Sequence, residues 1–198
     1  MDAIDAQADT VMLPGWAARH RFSVDAYHRM GEAGILVPAD RIELIDGEIV
    51  EMAPVGSPHI GAVLTLNQLL TKAAPQAVLV SVQSPIQMGG RSEPEPDLAL
   101  LRARPDRYRR PPPPSAADVL LIIEVSDTSL RYDREVKLPL YAGQGIPEVW
   151  IVDLAARAVD IHRNPENGAY AEVTSRGLSE TLQPVAFPDI RIPVSEIV

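Results

Sequence analysis

The chain has 198 residues, no cysteine, and 18 basic against 27 acidic side chains, for a net charge of −9. Without thiols it can build neither disulfides nor thiolate metal sites, so any metal must sit on oxygen or imidazole. The acidic balance also counts against a protein that coats DNA, because neutralising phosphates takes a basic surface or stripe; any nucleic-acid contact is expected to be local.

Residues 1–22 lack sustained periodicity and are broken by Pro14 and Gly15. They read as an N-terminal arm on a single domain spanning 23–198. With no apolar run long enough for a signal peptide or a membrane span, a cytoplasmic protein is expected. Ser23 to Gly34 has a Ser cap and a terminal glycine, the marks of a short helix. In residues 41–52, Asp46-Gly47 joins two apolar-rich runs, the strongest short hairpin signal. A two-residue turn there sets Ile45 opposite Glu48 and Glu43 opposite Val50, which places Glu43 and Glu48 on one face.

Ser57-Pro58 starts a helix whose apolar residues recur at helical spacing up to Ala74. Val78 to Val82, Pro85 to Met88 and Asp97 to Leu101 read as strands. An Arg- and Pro-rich connection then runs from Arg102 to Asp118, longer than most structureless loops and therefore functional or mobile. Val119 to Val125 is the most apolar run and suits a central strand covered on both faces. A helical segment around Arg134 to Ala142 follows, with a kink or late start expected at Pro139. Strands at Val149 to Val152, Ala158 to His162 and Tyr170 to Thr174 come next, and the tail is expected to return as an edge segment. This order predicts an α/β domain with a mixed sheet.

One constellation offers chemistry: Asp97 at the start of a strand, Glu124 near the end of the most apolar one, and Lys137 on the helix after it. Carboxylates at the polar ends of apolar strands are costly to desolvate unless they bind a cation, a proton or a donor. Two of them on neighbouring strands suit Mg²⁺ or Mn²⁺, and a nearby Lys could stabilise charge on a phosphate under attack. Strand-end carboxylates that cap a helix or pair with Arg are the alternative. His59, at a helix start, is a local hydrogen-bonding residue or a group that orients a ligand. Arg102, Arg104, Arg107, Arg109 and Arg110, with Tyr108 among them, lie in sequence between the strands of Asp97 and Glu124; they could track a phosphate backbone or form a solvated loop.

ELIDGEIVEM at 43–52, His59 opening a helix, Pro96-Asp97 before an apolar strand, IIEVSDTSLRYDREVK at 122–137 and YAGQGIPEVWIVD at 141–153 occur in this order. Together they resemble the Uma family of restriction-endonuclease-like proteins, common in bacteria and part of the PD-(D/E)XK nuclease superfamily. The resemblance implies a restriction-endonuclease-like fold in which Asp97 and Glu124 hold the divalent metal. It also implies that the lysine usually found two residues after the acid, where Ser126 stands here, is replaced by Lys137. Superfamily members often add an acid from the first core helix. That helix has none here, so Glu43, or less favourably Glu48, could substitute; a hairpin edge with solvated glutamates is the alternative.

The expected function is therefore a Mg²⁺- or Mn²⁺-dependent endonuclease acting on DNA, with a homodimer plausible for cutting two strands. The alternatives are a nuclease fold kept as an inactive DNA- or protein-binding module, and a hydrolase of small phosphoesters.

Overall fold

A computed structural model describes residues 19–37 and 40–198. Most of the predicted arm, residues 1–18, lies outside the described residues. Its last residues lie against the hairpin turn: the Arg21 guanidinium is 2.7 Å from the Asp46 carboxylate, and the Phe22 N–H donates to the Gly47 carbonyl.

Helix α1 (Val24–Glu32) starts where Ser23 accepts the Ala26 N–H, as its sequence requires. The hairpin of β1 (Ile42–Ile45) and β2 (Glu48–Glu51) has the register set by Asp46-Gly47, with Ile45 opposite Glu48 and Glu43 opposite Val50. Gly47 sits at φ +79°, and a Cβ there would lie 2.8 Å from the Arg21 Cβ and 2.9 Å from the Phe22 carbonyl oxygen. Gly47→Ala is therefore expected to cost about 2 kcal/mol, read as a lower denaturant midpoint, because the turn needs the left-handed region and the arm leaves no room.

Helix α2 (Ser57–Ala73) carries Pro58 in its first turn, where no N–H is needed. Its buried stripe of Ala62, Val63, Leu66 and Leu70 lies against the main sheet. That sheet has six strands in the order β3 (Val78–Val82), β4 (Leu98–Arg102), β5 (Val119–Ser126), β6 (Glu148–Asp153), β7 (Ala158–Glu166) and β8 (Ala169–Gly177). Only β5 and β6 run parallel, and the crossover between them carries helix α3 (residues 130–143).

One face of the sheet packs on α2 and on the C-terminal segment through Trp150, Val152, Ile190, Ile192 and Val194. The other packs on α3 and the 86–88 segment through Ile122, Ile151, Ile86, Met88 and Tyr141. From Leu121 onward successive residues of β5 serve the two faces in turn, which is why this strand is so apolar.

Two expectations fail. Pro85 to Met88 forms only an isolated bridge, Gln87 to Ser115, because its N–H groups bond to loop carbonyls instead of a strand. The tail does not join the edge of the main sheet. Its strand β10 (Ile192–Pro193) pairs with β9 (Thr181–Leu182) in a separate ribbon, and its alternating isoleucines enter the core.

Helix α3 answers the Pro139 question in an unexpected way. It opens with an α-turn (Leu130–Tyr132), widens into a π-helical stretch (Asp133–Lys137) and closes as α-helix (Leu138–Gly143). Proline cannot donate to the residue four back and its ring crowds that carbonyl. The wider turn gives it room, and the Leu138 N–H reaches the Asp133 carbonyl instead. Among the described residues no helix is long and apolar enough to cross a membrane.

Candidate active site

The loop before β4, the end of β5 and the π-helical stretch of α3 meet at one end of the sheet, where the hairpin covers them. This brings Asp97, Glu124, Lys137 and Glu43 together. Lys137 Nζ lies 3.2 Å from Glu124 Oε1 and 3.4 Å from Glu43 Oε2, with all three side chains at most 7% exposed. Asp97 and Glu124 are linked through the backbone: the Val125 N–H donates to Asp97 Oδ2 at 2.8 Å, and the Asp97 N–H to Glu124 Oε2 at 3.4 Å.

Each acid has a second holder. Tyr141, fully buried, donates its hydroxyl to Glu124 Oε1 at 2.5 Å. The Glu95 N–H donates to Glu43 Oε2 at 3.1 Å, and the Tyr132 hydroxyl to Glu43 Oε1 at 3.3 Å. His59 Nε2 lies 2.9 Å from Asp97 Oδ1, and the Gln83 amide reaches the same oxygen at 3.4 Å. Oε1 of Glu124 is thus occupied by a hydroxyl and an ammonium, while among the described residues Oε2 has one long backbone contact.

The electrostatics follow from crowding in a dry place. Burial pushes the Glu124 carboxyl up to about 8, with Lys137 working against it and the Asp133 and Asp97 charges adding to it. Burial alone would lower the Lys137 pKa, yet Glu124, Glu43, Asp133 and Asp97 together raise it, so the amine stays an ammonium at neutral pH. The hydrogen bond to Asp97 raises His59 above the usual histidine value.

A cavity of about 470 Å³ opens onto this cluster, lined among others by Arg41, Glu43, His59, Asp97, Glu124 and Lys137. Glu43 stands in it. Glu48 does not; it faces the arm, 3.4 Å from Arg21, because it follows the turn that packs on Arg21 and Phe22.

Ser126, at the position of the missing lysine, is 1% exposed and donates to Asp133 Oδ2 at 2.8 Å. Ser129 donates to the same oxygen at 2.6 Å. Asp133 therefore ties the end of β5 to the helix that carries Lys137. The sequence reading missed it, although Asp133 and Lys137, four apart in DREVK, would share a helix face. Tyr132 and Tyr141 were missed as well.

The Arg cluster is not beside these residues. Strands β4 and β5 are antiparallel, so Asp97 and Glu124 share one end of the pair while the 102–118 connection joins the opposite ends. Adjacency in sequence to both acids suggested proximity; topology separates the loop from Asp97 by the length of β4, roughly 17 Å.

The donor set tests the metal expectation. Among the described residues no group of three or more His, Asp or Glu side chains is placed to hold a metal ion. Asp97 and Glu124 instead offer two hard oxygen donors beside an open cavity. That suits a cation such as Mg²⁺, which takes one or two carboxylates and fills its other positions with water or phosphate.

The sequence matches the family model Uma2, described as "Putative restriction endonuclease", over residues 24–195. The chain belongs to the Uma2 family. Among solved structures, a "putative nuclease belonging to DUF820" from Anabaena variabilis is similar in fold, with a TM-score of 0.68 at 13% identity, covering 89% of this chain and 97% of that one. No curated protein matches. The Uma2 match and this likeness together assign the restriction-endonuclease-like nuclease fold expected from the sequence.

Proposed function

We propose that this Uma2 protein is a divalent-metal-dependent endonuclease that hydrolyses DNA phosphodiesters at Asp97, Glu124 and Lys137. The observation that carries the reading is a single buried lysine ammonium held between carboxylates on the wall of an open cavity, with Asp97 beside them. A structural ion pair would not need a cavity. Asp97 and Glu124 would hold Mg²⁺ or Mn²⁺, chiefly through Glu124 Oε2 and the Asp97 carboxylate. When bound, the cation would supply an activated water and neutralise phosphate charge.

The chain's own groups do the rest. Tyr141 and Lys137 hold Glu124 Oε1 and leave Oε2 with the long contact to the Asp97 N–H. The raised pKa of Lys137 makes it a charge stabiliser for the pentacoordinate phosphate, not a base. His59 orients Asp97, and Glu43 balances Lys137 without needing to touch the substrate.

Incubating supercoiled plasmid with the protein and Mg²⁺ or Mn²⁺ tests this. Nicking is expected from the wild type, with a loss of at least about 100-fold in Asp97→Ala and Glu124→Ala. Nicking that survives both substitutions overturns the site. A dimer would show as linear product formed without a nicked intermediate.

A second reading has one observation in its favour. Lys137 already neutralises part of the site and, among the described residues, no group of three or more His, Asp or Glu side chains is placed to hold a metal ion, as in a nuclease fold kept for binding alone. Retained DNA binding without nicking under either metal would select it.

A further inference from the structure

Acidic residues are spread unevenly over this chain. Residues 52–92 contain no Asp or Glu, although 27 such residues in 198 would place five or six in a stretch of that length. They build α2, β3 and the turn after it. Beyond them, residues 102–110 hold five Arg against one Asp. An acidic protein thus has one stretch of chain free of acid, followed after β4 by a basic loop.

The fold makes these segments continuous. Among the described residues β3 pairs with β4 alone, so its other side is a bare sheet edge. Since β3 and β4 are antiparallel, Val82 lies opposite Leu98 and Val78 opposite Arg102. The edge runs from Gln83, whose amide reaches Asp97, to the Arg loop at the far end. There a groove is lined by Thr71, Gln76, Val78, Val80 and Arg107.

The loop is built, not slack. Arg104 spends its guanidinium internally: it binds Asp106 through Nε at 2.5 Å and Nη2 at 2.9 Å, donates to the carbonyls of Pro112 and Arg110, and lies 4.5 Å over the Tyr108 ring. The Tyr108 hydroxyl ties back to the Arg102 carbonyl at 2.8 Å. This clasp holds Arg107 and Tyr108 at φ +52° and +57°, a conformation that costs side-chain-bearing residues energy and persists only where the surroundings impose it. Arg102, Arg107, Arg109 and Arg110 are all exposed, and among the described residues no carboxylate pairs with their side chains.

We infer that the β3 edge and the 102–110 loop form a phosphate-tracking surface for nucleic acid, separate from the Asp97–Glu124 site and leading away from it. The inference rests on the nuclease reading for the identity of the polyanion. Five residues of β4 span about 17 Å, the rise of about five nucleotides along one strand. A substrate must then extend at least that far to one side of the scissile bond to reach Arg107. Arg104 is the positioning residue of this surface, and Arg107 and Arg109 are the side chains that meet the phosphates.

Fluorescence anisotropy of a labelled duplex of about 25 bp, titrated in EDTA at several salt concentrations, tests the surface without any cleavage. Arg107→Gln/Arg109→Gln is expected to reduce the slope of log K against log[salt] by about 1.8, some 0.9 for each phosphate no longer neutralised. The control Arg176→Gln/Arg191→Gln removes the same charge elsewhere and is expected to leave the slope in place. Absence of DNA binding by the wild type, an unchanged slope in the first pair, or equal decreases in both pairs overturns the inference. So does polyglutamate binding with the same Arg dependence, which would mean an acidic protein partner. If Asp97→Asn keeps the Arg-dependent slope and no protein nicks plasmid, the surface stands and the nuclease reading fails.

Discussion

Lys137→Met is expected to lower stability by about 3 kcal/mol at pH 8, or roughly 6 to 12 °C in melting temperature for a domain of this size. The substitution removes the one cation from between Glu43 and Glu124, both essentially inaccessible to water. A buried charge without its partner costs far more than the intact pair contributes, which is why the expected loss is large although a well-packed apolar replacement of all members could be neutral. The double variant Lys137→Met/Glu43→Gln is expected to recover part of the loss. Simple additivity of the two single changes would mean that the ammonium and Glu43 do not interact in solution. The deficit is expected to be carried mainly by Glu43, since the Glu124 carboxyl, raised to about 8 even with the ammonium working to lower it, takes up a proton once Lys137 is lost.

Metal affinity is expected to climb by roughly fifty-fold between pH 6 and pH 8 and then to level off. The Glu124 carboxyl, raised to about 8 by burial, is mostly protonated at pH 6, and a cation must displace that proton. The same raised value means that the metal-free folded protein holds a proton the unfolded chain has already released. Stability from Glu124 is thus fully present below the ordinary value of 4.5 and is lost as pH rises through 8. Saturating Mn²⁺ should oppose this trend, raising the melting temperature more at pH 8 than at pH 6. Calorimetric titration with Mn²⁺ across this range measures both the affinity and the proton released. A pH-independent affinity would show that Glu124 is not a ligand.

What the sequence disclosed and what it hid have physical causes. The hairpin register was legible because Asp46-Gly47 admits one tight turn, and the fate of every β1 residue follows from it. The central strand was legible because eight residues covered on both faces must nearly all be apolar, which makes Glu124 conspicuous. The Arg loop misled because sequence order does not say which end of an antiparallel pair a connection occupies. Asp133 stayed hidden for another reason: its partners Ser126 and Ser129 are small, common residues whose hydrogen bonds have no periodicity to betray them. Pro85 to Met88 looked like a strand because its apolar residues are buried, but burial of Ile86 and Met88 against the sheet does not require a ladder of their own.

The widened turn of α3 has a consequence for how the chain can vary in length. A π-helical stretch holds one residue more than an α-helical turn, so the segments on either side of it are out of phase as if a residue had been inserted. Asp133 and Lys137 lie within it and Tyr141 one turn beyond, all directed at the same carboxylate cluster. Removing one residue from it would return the helix to regular pitch and leave the downstream turn facing as it does, because the wide turn is what absorbs the extra residue. Tyr141 would then stay on Glu124, so the segment between Ser126 and Tyr141 has one residue of slack, and a shorter chain could still bring both its ends to one site.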